Sequence, residues 1–325
     1  MKAPSPDSGS SQQPGAEGKR ALVICVVPAY NAEGTIIRAI RSALRQRGPA
    51  TKIVVVDHGS QDRTPDEVRR EFGSDDRVAL LRLVRSPDEV SSASRPLNTG
   101  MEWGIGLGHR EDSTWLLRLD ADDFLANDFV LQEALSGGTE QLIMGLLLFF
   151  NAQEKRSLLY GPDDGRRTRE GLISGGAYAA AHHSTLMRAD LLKRIRSEGE
   201  PLYCEVIGYG EDLDCTARLL RAVSNREFRF LAKPLVCKFI GEGTISSTKE
   251  SLRIWKDMAV VFKRHPELPR RLLRRLAIDL VLRKGGKRLD GIRRRWGRPA
   301  GQVGIEIPVS YEPVGERIAQ LDEGL

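Results

Sequence analysis

The sequence predicts an α/β protein: a mostly parallel central sheet flanked by helices, followed by a C-terminal helical extension. Three observations predict it. Short apolar runs start near Ala21, Lys52, Val78 and Trp115, the first two rich in β-branched residues, and alternate with segments of helical period. Strands separated by helices in this way build right-handed βαβ units, whose sheet is covered on both faces. Two of the runs stop at aspartates, Asp57 and the cluster Asp120-Ala121-Asp122-Asp123, and sheets of this type bind ligands outside the carboxyl ends of their strands.

The elements follow in order. Residues 21–27 read as a strand buried on both faces and ended by Pro28. After the turn Pro28-Ala29-Tyr30-Asn31, Ile36, Ile40, Ala43 and Leu44 mark one helix face. Residues 52–57 repeat the design. Thr64, Pro65 and Glu67 then have the spacing of an N-cap, a first-position proline and the acid of a capping box. A third strand covers 78–84, a helix about 92–107, and a fourth strand 115–119. Further on, 141–150 reads as a buried strand, 166–176 as an irregular polar loop, and 189–195 as a short helix. Gly208-Tyr209-Gly210 breaks the chain ahead of a helix whose first turn holds Glu211 and Asp212. A β-like stretch at 228–240 precedes helices at 251–263 and 272–283, and the chain from about 299 is expected to be partly disordered.

Composition narrows the class. With 40% hydrophobic and 29% charged residues among 325, the chain is of ordinary soluble type and long enough for about two domains. Residues 1–20 have no apolar core and read as a disordered tail rather than a secretory signal. The apolar run 142–150 falls well short of the roughly 20 residues a membrane-spanning helix needs. Four scattered cysteines without a Cys-x-x-Cys pair point to neither zinc nor a disulfide framework, and fit a reducing, cytoplasmic setting. The net charge of +6 is uneven: residues 263–298 hold fourteen Lys or Arg against three acids, a local +11, leaving −5 elsewhere. That segment reads as a solvated helical face, as a surface for peripheral contact with anionic lipid, or, least well because it has few aromatics, as a nucleic-acid patch.

The carboxylate cluster after residue 119 allows two readings. Asp is a common turn residue, so a solvated turn is one. Carboxylates crowded at a sheet edge also repel one another and call for a cation, which for hard oxygen ligands means Mg²⁺ or Mn²⁺.

Five pieces in register resemble the family 2 glycosyltransferases of GT-A fold, a Rossmann-like architecture. They are Val26-Val-Pro28-Ala29-Tyr30-Asn31, Val54-Val-Val-Asp57-His-Gly59-Ser60-Gln-Asp62, Ser92-Ala-Ser-Arg95 with Asn98-Thr99-Gly100, Asp120-Ala121-Asp122-Asp123, and Gly210-Glu211-Asp212. The resemblance spans about 21–245 and implies transfer of one sugar, with inversion, from a nucleotide diphosphate donor such as a UDP-sugar to an acceptor hydroxyl. It implies donor contacts at Pro28, Ala29, Tyr30, Asn31, Glu33, Asp57, Ser60, Arg95, Asp120 and Ala121, a Mn²⁺ or Mg²⁺ ion on Asp122, and Asp212 as general base. Glu211 and His183 are weaker candidates for the acceptor side. An aspartate at a strand end can accept the imide N–H of a uracil, and a tyrosine can pack on its flat ring.

The resemblance divides the chain into a tail (1–20), a nucleotide-sugar-binding half (21–125), an acceptor-binding half (126–245) and a basic helical extension (246–325). A histidine that many relatives carry after the last strand to complete the metal site is missing here, with Glu242 the nearest substitute. The Gln-x-x-Arg-Trp sequence of processive synthases is also missing, which favours single additions. Acceptors could be lipid-linked, saccharide, peptide or natural-product molecules. The rival readings are a nucleotidyltransferase, whose Gly-rich triphosphate loop has no counterpart after the first strand, and a non-catalytic nucleotide-sugar-binding protein.

Overall fold

The computed structural model describes residues 21–86, 88–90, 92–107, 113–151, 153, 155–175, 182–196, 199–239, 251–268, 305–310 and 312–323. The first half runs β1 (Leu22–Ala29), α1 (Ile36–Leu44), β2 (Ala50–His58), α2 (Thr64–Phe72), β3 (Val78–Leu83), α3 (Ser94–Gly106) and β4 (Thr114–Arg118). It continues through β5 (Phe124–Leu125), α4 (Val130–Ala134), β6 (Leu142–Asn151), β7 (Arg156–Gly161), α5 (Arg169–Gly175), β8 (Thr185–Arg188), α6 (Ala189–Arg196), α7 (Glu211–Ala222) and β9 (Phe228–Phe239). The last described elements are α8 (Ser251–Arg264), β10 (Ile305–Val309) and α9 (Glu312–Asp322).

The strands form one ten-stranded sheet in the order β10-β7-β6-β8-β4-β1-β2-β3, with β9 paired to both β5 and β6. β1 is parallel to β2 and β4, and β2 to β3, so the carboxyl ends of these strands share one edge. β8 runs antiparallel to β4 and β6, while β9 is parallel to β6. This is the mixed α/β architecture the sequence predicted.

Each face of the sheet has its own apolar layer, which is why β1 reads as a continuous apolar run. Ile24 and Val26 join Val54 and Val56 against Leu97 and Met101 of α3. Val23, Cys25 and Val27, one step out of phase, pack with Ile36 and Ile40 of α1 and Phe72 of α2. The two-residue strand repeat therefore feeds both layers. Gly100 lets α3 approach closely: a Cβ there would overlap Val26 and stand 3.1 Å from a Val56 methyl.

Three local expectations change. The capping box at Thr64 does not form, because that threonine is drawn into the joint between the loops after β1 and β2. Asp62 Oδ1 accepts the Thr64 N–H at 3.0 Å and its hydroxyl at 2.6 Å, the Thr64 oxygen accepts the Ala32 N–H at 2.7 Å, and Glu67 pairs with Arg70. The polar stretch 166–176 is not an irregular loop but contains α5. Thr168 Oγ1 accepts the Gly171 N–H at 3.0 Å, a cap of the usual kind, and the buried Leu172 anchors the turn; one anchor is too few to show a period. The chain beyond 299 is ordered over β10 and α9. β10 pairs antiparallel with β7, and Val314 and Leu321 of α9 pack with Phe124 and Phe150. Those partners lie far away in sequence, so composition alone could not reveal them, and the C-terminal extension holds a strand as well as helices.

The tail 1–20, Glu242, the helix expected at 272–283 and most of the basic segment 263–298 lie outside the described residues. Among the described residues no helix is long and apolar enough to cross a membrane. All four cysteines are buried and free.

Candidate active site

The loops leaving β1 and β2 are fastened to each other. Ala29, after Pro28 at the end of β1, sits opposite Asp57 in the register. Asn31 has φ +50, a conformation asparagine adopts more readily than most residues, and its Oδ1 accepts the Gln61 N–H at 2.8 Å. Ser60 Oγ accepts the Asn31 N–H at 2.9 Å. Asp62 Oδ2 accepts the Glu33 N–H at 3.1 Å, and Glu33 Oε2 accepts that of Arg63 at 3.0 Å. Asn31, Glu33 and Ser60 thus shape the turn through side-chain-to-backbone bonds. Asp57 is fully buried and accepts from the Ser60 N–H and Arg82 Nε, each at 3.3 Å. Tyr30 is exposed, with the Arg85 guanidinium 4.9 Å from its ring centre. Arg95 donates to Glu89 at 2.7 Å and to the Val84 carbonyl at 3.2 Å, and Glu89 also meets His58 at 2.8 Å.

The carboxylate cluster follows β4. A turn in which the Asp123 N–H donates to the Asp120 carbonyl at 3.0 Å brings these two residues together. β5 then pairs antiparallel with β9, Phe124 opposite Cys237, so the next step of the register sets Lys238 beside Asp123. Lys238 Nζ lies 3.0 Å from Asp120 Oδ2 and 3.1 Å from Asp123 Oδ2. The Phe239 N–H donates to Asp123 Oδ1 at 3.0 Å. Arg118, buried at the end of β4, donates to both Asp120 oxygens at 2.7 and 3.3 Å.

These contacts separate the three acids electrostatically. Burial alone would raise the Asp120 carboxyl, yet Arg118 and then Lys238 hold it well below the ordinary range. Burial pushes Asp123 up to about 7, with Asp120 and Asp122 adding to the rise against the pull of Lys238. Asp122 is raised as well, by burial first and Asp120 second.

Two adjacent histidines tie the cluster to α7. His182 is buried, with Nδ1 at 2.8 Å from Thr216 Oγ1 of α7 and Nε2 at 3.0 Å from the Tyr203 hydroxyl; burial drives its pKa well below the ordinary value, so it stays neutral. His183 Nδ1 stands 3.3 Å from Asp120 Oδ2, and its Nε2 stands 4.0 Å from Asp212 Oδ2. Burial, then Lys238 and Arg118, lower His183 to about 4, leaving an imidazole with a free lone pair at neutral pH. Glu211 and Asp212 occupy the first turn of α7, as the sequence indicated. Gly210, with φ +85, leads into it where a side chain would meet Met258.

Asp120, Asp123 and His183 offer ligand atoms within 4.8 Å of one another. Asp122, for which the resemblance implied the metal role, stands outside that trio; Ala121 lies buried between the two. The trio fits a divalent cation. The buried His183 Nδ1 completes no hydrogen bond, and two carboxylates with a neutral imidazole form a reasonable ligand set for one. Sequence reading missed Arg118, Lys238 and Tyr203. A usable signal existed for Lys238: a cation directly after the apolar run Leu235-Val236-Cys237, at the strand end beyond which a terminal histidine was expected.

The family model for Glycosyl transferase family 2 matches residues 24–196. The succinoglycan biosynthesis protein ExoO of Rhizobium meliloti is 38% identical over 115 residues, covering 35% of this chain and 29% of its own length. ExoA of the same organism is 25% identical over 210 residues, 61% of this chain and 58% of its own. The Escherichia coli UDP-Glc:alpha-D-GlcNAc-diphosphoundecaprenol beta-1,3-glucosyltransferase WfgD is 33% identical over 112 residues, 34% of this chain and 39% of its own. In each case less than two thirds of the relative is matched. Among solved structures, S. aureus TarS in complex with UDP-GlcNAc superposes with a TM-score of 0.56 at 18% identity, covering 74% of this chain and 65% of the other, a likeness of fold.

Proposed function

The chain belongs to glycosyl transferase family 2, and from that premise we propose that it moves a single sugar from a UDP-sugar or related nucleotide diphosphate donor to an acceptor hydroxyl, with inversion. The observation supporting this most directly is the span of His183. One imidazole reaches Asp120 on the donor side and Asp212 on α7, so the candidate cation ligands and the candidate base face the same space.

In this reading the Pro28–Asn31 turn, Glu33, Asp57 and Ser60 form the seat for base and ribose. Asp57 keeps acceptor capacity because an ionised carboxylate offers about four lone-pair sites and two are in use. Arg95 borders the donor space through Glu89. Asp120, Asp123 and His183 would hold Mn²⁺ or Mg²⁺, with Asp122 beside them; a cation there would offset charge developing on the departing nucleoside diphosphate. Asp212 takes the proton of the acceptor hydroxyl as its oxygen bonds to the anomeric carbon and the bond to the diphosphate breaks. Glu211 and His183 flank that acceptor space. The names of the relatives, two succinoglycan biosynthesis proteins and a glucosyltransferase acting on a diphosphoundecaprenol-linked sugar, support sugar transfer in polysaccharide assembly, with lipid-linked or saccharide acceptors ahead of peptides and natural products. Buried free thiols fit a cytoplasmic setting, where the basic segment 263–298 could meet an anionic membrane surface.

The test is a panel of nucleotide sugars, with and without Mn²⁺, followed by release of nucleoside diphosphate and by calorimetric nucleotide binding. Binding of one nucleotide class with slow donor hydrolysis is expected, and no nucleotide binding in the presence of metal refutes the reading. Asp212→Asn should lower transfer by about 10²–10⁴-fold, the usual worth of a general base, with nucleotide affinity kept. Unchanged transfer removes Asp212 from that role.

A further inference from the structure

Lys238 stands where a bound cation would have to stand. Its ammonium lies 3.0 Å from Asp120 Oδ2 and 3.1 Å from Asp123 Oδ2. Those two carboxylates are also two of the three groups whose ligand atoms converge within 4.8 Å. A divalent cation such as Mg²⁺ needs oxygen ligands at about 2.0–2.1 Å, so an ion held between these two carboxylates would lie close to the ammonium and compete with it for their oxygens. Charge balance points the same way. With all three aspartates ionised, Arg118 and Lys238 leave a single negative charge, and a divalent cation added beside both would make the buried cluster net positive. With Lys238 withdrawn, the cluster and the ion are neutral, the arrangement low-dielectric surroundings favour.

We propose that Lys238 is a resident occupant of the cation site, which a divalent cation displaces from Asp120 and Asp123, and which on leaving becomes free to meet the donor diphosphate. Lysine suits an exchange of this kind: it is a point charge on a flexible four-carbon stem, without the fixed planar geometry of arginine. Cation loading is therefore weak until an anionic group draws the ammonium off, so donor and metal load together. The inference rests on the proposed donor site, but its direct readout is metal binding without nucleotide.

The experiment titrates Mn²⁺ into the nucleotide-free protein and follows free ion by electron paramagnetic resonance for wild type, Lys238→Met and Lys238→Arg. Lys238→Met should bind at least about tenfold more tightly than wild type, the worth of one charge-assisted hydrogen bond, whereas Lys238→Arg should not tighten. Equal or weaker binding by folded Lys238→Met, or no Mn²⁺ binding by either wild type or that variant, overturns the proposal. Should Lys238→Met fail to fold, amine acetylation of wild type read by mass spectrometry decides: Mn²⁺ should raise modification at Lys238, and unchanged modification overturns it. Nucleotide binding by wild type, measured separately, reports on the transferase reading. Failure there leaves the Mn²⁺ result interpretable on its own.

Discussion

Replacing Asp214 with Asn should cost about 3 kcal/mol of stability and slow transfer without touching substrate. Asp214 lies on α7 two residues after Asp212 and is fully buried. Its Oδ1 accepts from Arg264 Nε at 2.6 Å and from His265 Nε2 at 2.9 Å, which ties the end of α8 to the start of α7. Removing one member of a buried ion pair costs about 3–5 kcal/mol because the other charge is left uncompensated. Arg264 retains Glu200 and some solvent contact, so the lower end applies. At about 2–4 °C per kcal/mol for a chain of this order, the thermal midpoint should drop by roughly 6–12 °C. The pH dependence follows from the sign of the shift. Burial opposes it, but His265 and Arg264 hold the Asp214 carboxyl below its ordinary 3.8. A depressed carboxylate contributes stability above the unfolded value and loses it as pH falls through the folded one. The gap between wild type and Asp214→Asn should therefore be full at pH 7 and narrow below about pH 4. Thermal and urea unfolding across that range, with transfer and nucleotide binding assayed in parallel, provide the check. Midpoints within 1 °C at pH 7, or a gap that persists in acid, would refute the reasoning.

Three further outcomes are expected. Gly100→Val should lower stability by about 1–3 kcal/mol through overpacking against Val26 and Val56, read as a reduced urea midpoint; an unchanged midpoint would contradict the close approach of α3. Because Asp123 is raised to about 7 and a ligand must be deprotonated to bind metal, Mn²⁺ affinity should fall about tenfold per pH unit below 7 and level off above it. Calorimetry in buffers of differing ionisation enthalpy should then find close to one proton released at pH 6 and almost none at pH 8. Finally, Asp123→Asn should weaken Mn²⁺ binding more than Asp122→Asn does, since Asp122 lies outside the converging trio; the reverse order, measured by paramagnetic resonance, would restore Asp122 as the principal ligand.

Features set by local sequence were legible in advance. The strand runs ending at Asp57 and Asp120 fall in β2 and just after β4, and the glycines ahead of Glu211 do lead into α7. What escaped depends on pairing between distant segments. Lys238 reaches Asp123 only because β5 and β9 share a ladder, 115 residues apart. β10 depends on β7 for its hydrogen bonds, and α5 rests on the cap at Thr168 and the anchor at Leu172. Thr64 has the right residue type for a cap, and it lost that role to a tertiary demand from Ala32.

The same division explains how the acidic cluster is compensated within the chain. Three aspartates within four residues are a local feature, and burying them unpaired would be prohibitive. Local sequence supplies only Arg118, two residues upstream, and that guanidinium is committed to Asp120. The remaining compensation comes from β9, as Lys238 and the Phe239 N–H, while Asp123 raised to about 7 reduces the charge still to be balanced. A site neutralised from across the sheet has its charge balanced by the chain itself. In the proposed exchange, a cation that takes up Asp120 and Asp123 competes with Lys238 for their oxygens, so loading the site would rearrange β9 contacts.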